Sequence, residues 1–280
     1  MKLVKRPDFQ ALYAITKKEL LEQSRYRQNI FYSTISPIFT CLGATAMYWM
    51  FTGYSRSSPT LFETYTGTNN YIGFVFLGFL VVFYFNHTVW RVSYGIRREQ
   101  EIGTLESNFL SPTHPVLLIL GKSLAFTILS SVSALIIFFI GWLSVGLYFE
   151  ITNTLFIPLI LFLVLVTSFG FGLFISGVIM LYRQADAIVS FFVFVQYTFC
   201  GYDFVVAAIP SWIRNISYFL PATWGIEAIR GILIYNLGTE NILKLIFILG
   251  SFAFLYLFLG FYFLVRFEKI VKRRGGLGAY

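Results

Sequence analysis

Charge is what this sequence has least of. Asp, Glu, Lys and Arg make up 12% of its 280 residues, about half the share of a soluble domain, while apolar residues reach 57% and mean hydropathy is +0.73. Such a chain reads as an integral membrane protein. Cysteine is almost missing: Cys41 and Cys200 both fall in apolar runs with no CxxC spacing, and are read as reduced, buried small hydrophobes. His87 and His114 stand alone, with no HExxH and no Cys/His cluster, so no metal site is expected. No GxxxxGK[ST] loop is present, and no paired carboxylates or Ser/His constellation lie at one membrane depth. The chain is therefore read as non-catalytic, with no catalytic residue and no cofactor bound by the chain itself. Signal-peptide features, internal repeats and low-complexity tracts are also absent, so insertion is expected to use the spanning helices and residues 1–280 to form one domain.

What the sequence has in quantity is apolar length. A helix crossing a hydrocarbon core of roughly 30 Å needs about 20 mostly apolar residues. Charge-free runs of that kind predict six spans, at 28–54, 66–92, 123–149, 152–182, 187–208 and 244–266. The fold class is thus all-α, a polytopic membrane protein. Between the last two spans, "NISYFLPATWGI" is too short to cross and is broken by Pro221, so 209–235 is expected to form an external re-entrant hairpin. The high aromatic content, with 33 Phe, is taken as lipid-facing and packing surface.

Lysine and arginine placement sets the orientation. With an even number of spans both termini share a side, and that side collects all of the 21 basic residues except Arg56, Arg214, Arg230 and Lys244. Cytoplasmic termini are expected, with a tail at 267–280. The net charge of +8 then reflects topology and anionic lipid headgroups, not nucleic acid. In residues 1–27, Phe9, Leu12, Tyr13, Thr16 and Leu20 recur at helical spacing opposite Lys17, Lys18 and Glu22, which predicts an amphipathic helix in the cytoplasmic interface.

The most informative stretch is "REQEIGTLESNFLSP", Arg98 to Pro112, inside the cytoplasmic segment 97–113. Ile102, Leu105 and Phe109 share one helical face. Gly103 weakens a continuous helix, Thr104 can cap a new one whose first turn carries Glu106, and Ser111-Pro112 ends it. Glu99, Glu101 and Glu106 would be repelled by anionic lipid, so a cytoplasmic protein with a basic or polar cleft is the better partner, the apolar triplet inserting as an anchor.

"RREQEIGTLESNFLSPTHPVLLILGK" resembles the loop between the second and third spans of ABC type-2 transporter permeases, the membrane subunits of ATP-driven exporters. "FLPATWGIEAIRGIL", Phe219 to Leu233, is similar to that family's recurrent segment near the C-terminus. The resemblance implies that Thr104 to Leu110 is a coupling helix docking in a separate ABC ATPase subunit, with Glu99, Glu101 and Glu106 as polar contacts, Ile102, Leu105 and Phe109 as anchors and Gly103 as the turn. ATP and Mg would be used by that ATPase. A second permease copy or a homologue would complete the pathway, and the setting would be a prokaryotic plasma membrane. Lipids, lipid-linked glycans or hydrophobic drugs would suit as cargo.

Five further residues are candidates for the pathway or a gate: Gln196, Asp203, Pro221, Glu227 and Arg230. Gln196 in mid-span must bond to protein or line the pathway. Asp203 can contact substrate or pair with Arg214; Glu227 and Arg230, at i and i+3, suit a gate or a local ion pair. Ser36-Pro37 and Gly170, Gly172 and Gly177 allow kinks or close helix contact. A self-sufficient ion-coupled transporter or channel is the alternative, although the ionisable residues or internal repeat it would need inside the membrane are not evident.

Overall fold

The computed structural model describes residues 8–25, 60–68, 70–102, 115–145, 153–179 and 185–273, with 35 and 39. The expected first span and most of the coupling segment, including Gly103, Thr104, Leu105, Glu106 and Phe109, lie outside these residues, as do Cys41 and Ser36-Pro37. Every regular element described is helical. In chain order they are α1 (Asp8–Arg25), α2 (Thr60–Thr66), α3 (Tyr71–Ile102), α4 (Pro115–Val145), α5 (Ile157–Ile179), α6 (Ala185–Phe199), α7 (Ser211–Phe219), α8 (Pro221–Leu233) and α9 (Thr239–Arg273). Short 3-10 turns at Thr154–Phe156 and Val206–Ala208 precede α5 and α7.

Among the described residues, four helices contain windows long and apolar enough to cross a membrane: Tyr71–Gly95, Leu120–Phe139, Ile157–Ile179 and Thr239–Arg266. They coincide with the runs read as spans two, three, four and six. The run read as span five is helical only to Phe199. There Cys200 N–H still bonds the Gln196 carbonyl at 3.0 Å, but Gly201 adopts φ +76, a left-handed conformation that ends a helix at little cost for glycine.

Helices α3 and α5 form the centre. Ser176 Oγ donates to the Val92 carbonyl at 3.0 Å and Ser93 Oγ to the Gly172 carbonyl at 3.3 Å, a reciprocal pair of bonds between the two helices. Such small polar residues let helices approach closely where water cannot drive association. α5 meets α9 most closely at Gly170, where a Cβ would lie 2.6 Å from the Leu257 nitrogen. Opposite it, a Cβ on Gly260 would collide with the Gly170 carbonyl. Phe171 of α5 gathers the edges of Tyr256 at 5.1 Å and Phe192 at 5.7 Å between ring centroids, geometry favoured by the ring quadrupoles.

α1 packs on the first turns of α4. Thr16 Oγ1 donates to the Gly121 carbonyl at 3.1 Å, and a Cβ on Gly121 would meet Ile15 at 2.6 Å. The face turned inward therefore differs from the one expected. Leu12 and Thr16 are on it, but Glu19 and Gln23 are buried while Phe9 and Tyr13 are exposed. The two buried polar side chains are tolerated because Gln23 Nε2 donates to Glu19 Oε1 at 3.2 Å.

Candidate functional site

Chain direction brings the start of α3, the end of α6 and the starts of α5 and α9 to one end of the bundle, where α7 and α8 also lie. Loops there are cross-tied: Tyr71 donates to the Asp203 carbonyl at 3.3 Å, and Asn153 Nδ2 to the Leu237 carbonyl at 3.3 Å. α7 and α8 meet at Leu220-Pro221. Pro221 stands in the first turn of α8, where its missing N–H breaks no helical bond. The corner is closed by Thr223 Oγ1 donating to the Ser217 carbonyl at 2.7 Å and by the Trp224 indole donating to the Tyr218 carbonyl at 2.8 Å. The Ser217 carbonyl also accepts the Leu220 N–H at 3.1 Å, so both bonds serve carbonyls of the last turn of α7, where the helical ladder runs out.

α8 runs lengthwise among α3, α5 and α9. Its Gly225 faces Val164 and Val81, so that a Cβ would come within 2.7 Å of Val164. One and a half turns later comes the largest fully buried side chain of the described protein, Arg230, at 0% exposure. Arg230 Nε and Nη2 donate to the Phe74 carbonyl at 3.1 and 2.9 Å, Nη1 donates to Gly201 at 2.8 Å, and Nη2 also donates to Tyr202. The guanidinium carbon stands 3.3 Å from the centroid of the Phe74 ring, a cation–π contact. The cavity for this group exists because residue 78 is glycine: a Cβ there would collide with Arg230 Nη2 and the Tyr202 carbonyl.

A buried charge is costly unless every donor is satisfied. Each of the three nitrogens of Arg230 donates to a backbone carbonyl, so four of its five N–H groups are met by backbone dipoles. No ion pair joins it to Glu227 among the described residues, so the pairing suggested by their i, i+3 spacing is replaced by a three-way tie between α8, the first turn of α3 and the loop after α6. Burial, reinforced by the nearby Glu227 carboxylate, pushes the Tyr235 phenol well above its usual range.

The remaining sequence candidates do not converge on that tie. Asp203 is exposed, and Arg214 is turned away from it to the Ala207 carbonyl at 3.5 Å. Gln196 is 1% exposed and neither of its amide atoms has a partner among the described residues. Asn86 of α3 is also buried, at 3% exposure, with the Tyr197 phenol beside its amide. Glu99, Glu101 and Ile102 continue the backbone of α3, and their side chains lie outside the description.

Sequence reasoning missed Phe74, Gly78 and Asn86. Asn86-His87-Thr88, a polar trio inside "VVFYFNHTVWR", was a usable signal. Nothing in a linear pattern marks the Phe74 carbonyl.

Among the described residues, four helices able to cross a bilayer and a shorter fifth apolar helix define a multi-pass membrane protein. Residues 10–234 match the family of ABC-2 type transporters, and the chain belongs to it. It is the permease, membrane-spanning component of an ABC transporter; such components are generally non-catalytic and generally work with ABC ATPase subunits. No curated protein matches the chain.

Proposed function

We propose that the chain is the permease subunit of an exporter that works as a dimer, with a second copy or a homologue, and is driven by separate ABC ATPase subunits using ATP and Mg. The observation that carries this reading is the family match over residues 10–234, which includes the acidic, amphipathic stretch around Gly103. In this reading six helices span the membrane, the termini are cytoplasmic, and the membrane is that of a prokaryotic cell. The coupling helix docks in the ATPase through Ile102, Leu105 and Phe109, with Glu99, Glu101 and Glu106 as polar contacts. ATP-driven closure of the ATPase pair moves the permease only if its inward and outward states bind the ATP-loaded subunits with different affinity. The pair α7–α8 acts as a re-entrant hairpin, a reading supported by the contacts of Gly225 with Val81 and Val164 well inside the bundle. A lipid, lipid-linked glycan or hydrophobic drug is the cargo.

Co-expression with the cognate ATPase tests the reading. Wild type co-purifies with it, and the complex hydrolyses ATP faster when cargo is present. Gly103→Pro and Leu105→Asp insert normally but lose that stimulation. Solute movement by the purified permease alone, with no ATPase bound, would point instead to a self-sufficient transporter.

A further inference from the structure

A second charged group inside the apolar helices takes no part in the Arg230 tie. Arg91 lies on α3 four residues before Gly95, the end of the apolar window, hence about 6 Å along the helix from it. A long cation so near a membrane boundary ordinarily extends its head to the closer water. Arg91 does the reverse. Its Nε donates at 3.3 Å to Nε2 of His87, one turn further from that boundary, and its guanidinium carbon stands 5.6 Å from the centroid of the Phe126 ring on α4.

The direction of these bonds is determined. Arg91 Nε–H can only donate, so His87 Nε2 accepts and Nδ1 carries the proton of a neutral imidazole. That Nδ1–H then donates to Ser130 Oγ at 2.9 Å, and Ser130 donates its own hydrogen to the Phe126 carbonyl at 2.9 Å. The imidazole is also stacked on Phe83 at 5.2 Å. A neighbouring pair repeats the pattern, Tyr84 meeting Ser131 Oγ at 2.9 Å. A fixed chain of donors therefore holds a cation inside the apolar zone of the α3–α4 seam. Among the described residues no carboxylate pairs with it, and four of its five N–H groups have no acceptor.

We propose that Arg91, held by His87 and Ser130, binds the phosphate of a membrane amphiphile that enters the seam between α3 and α4. Guanidinium and phosphate match in charge and in forked geometry, and a phosphate drawn below its usual level supplies the counter-charge that desolvation demands. The amphiphile is either a bulk anionic phospholipid or a polyprenyl-phosphate-linked cargo. The first alternative needs only that the chain sits in a membrane; the second rests on the exporter reading above.

The purified, delipidated permease, without any ATPase, is titrated in detergent by native mass spectrometry with phosphatidylglycerol, diacylglycerol, polyprenyl phosphate and inorganic phosphate. Wild type is expected to bind phosphatidylglycerol about tenfold more tightly than diacylglycerol, the margin of one charge-assisted contact. Arg91→Gln removes that margin, Arg91→Lys keeps most of it, and Lys244→Gln, on an exposed site of α9, leaves it intact. Failure of inorganic phosphate to displace the lipid assigns an amphiphile, and a clear preference for polyprenyl phosphate assigns cargo over bulk lipid. Equal binding of phosphatidylglycerol and diacylglycerol by wild type overturns the proposal even if Arg91→Gln fails to fold. Failure of the permease to stimulate an ATPase in the separate co-expression assay, with this lipid binding preserved, would instead count against the exporter reading alone.

Discussion

Replacing Arg230 by methionine keeps an unbranched apolar stem but removes the guanidinium and with it all the donors. Two effects compete. Taking a guanidinium out of a fully buried site relieves its desolvation, and exchanging buried ionic groups for hydrophobes is often neutral or stabilising when the whole set is replaced. Here it is not replaced, because the carbonyls stay. Phe74 keeps its place in the helical ladder of α3, whereas the Gly201 and Tyr202 carbonyls lose the donor that serves them. Each orphaned acceptor costs about 1–3 kcal/mol, and the cation–π contact is lost as well, so the loss prevails by about 3 kcal/mol. For a chain of this size that corresponds to a fall of roughly 6–12 °C in apparent melting temperature. Melting is followed by fluorescence-detected size exclusion in one detergent at one lipid content. Arg230→Lys should fall between the two, since an ammonium cannot span three carbonyls in a plane. Gly78→Ala should cost a similar amount by pushing on the guanidinium, and the double variant should lose less than the sum. Melting of Arg230→Met within about 2 °C of wild type would refute the claim that the tie stabilises this end of the bundle.

Gly170→Leu, which drives a branched side chain into the backbone of α9 near Tyr256 and Leu257, should lower the yield of folded protein severely, read as monodisperse peak height. Gln196→Leu removes two unpartnered buried amide atoms and should raise the melting temperature by about 2–4 °C, near 1 kcal/mol; a drop would mean that Gln196 is engaged. Trp224→Phe keeps a ring stacked on Tyr218, now at 5.5 Å, but loses the indole bond to its carbonyl, and should cost about 1 kcal/mol in the same assay.

The apolar runs were legible because a bilayer imposes a single demand, about 20 residues without charge, and α3, α4, α5 and α9 answer it. Helix ends were less so. α3 continues to Ile102 and α9 to Arg273, since polar residues extend a helix beyond the membrane as readily as they end it. α6 stops early because Gly201 turns left-handed, a choice the hydrophobic run does not encode. On α1, periodicity identified a helix but not which side faces α4, because a contact at Gly121 and the mutual bond of Glu19 and Gln23 outweigh the apolar stripe. At the buried site, Glu227 and Arg230 were visible as a pair. The guanidinium's partners were not, being backbone carbonyls up to 156 positions away, and carbonyls carry no residue signature.

That separation has an ordering in time. All three acceptors precede Arg230 in the chain, Phe74 by 156 residues and Gly201 by 29. At about 5–20 residues per second, Phe74 is made roughly 8–30 s before Arg230 and Gly201 roughly 1–6 s before it. During biosynthesis the cation thus emerges last, into a membrane where its receptors are already available, and is never required to wait in hydrocarbon for them. A circular permutation that starts the chain between Gly201 and Arg230 would reverse that order, leaving the charge to enter the bilayer before α3 exists.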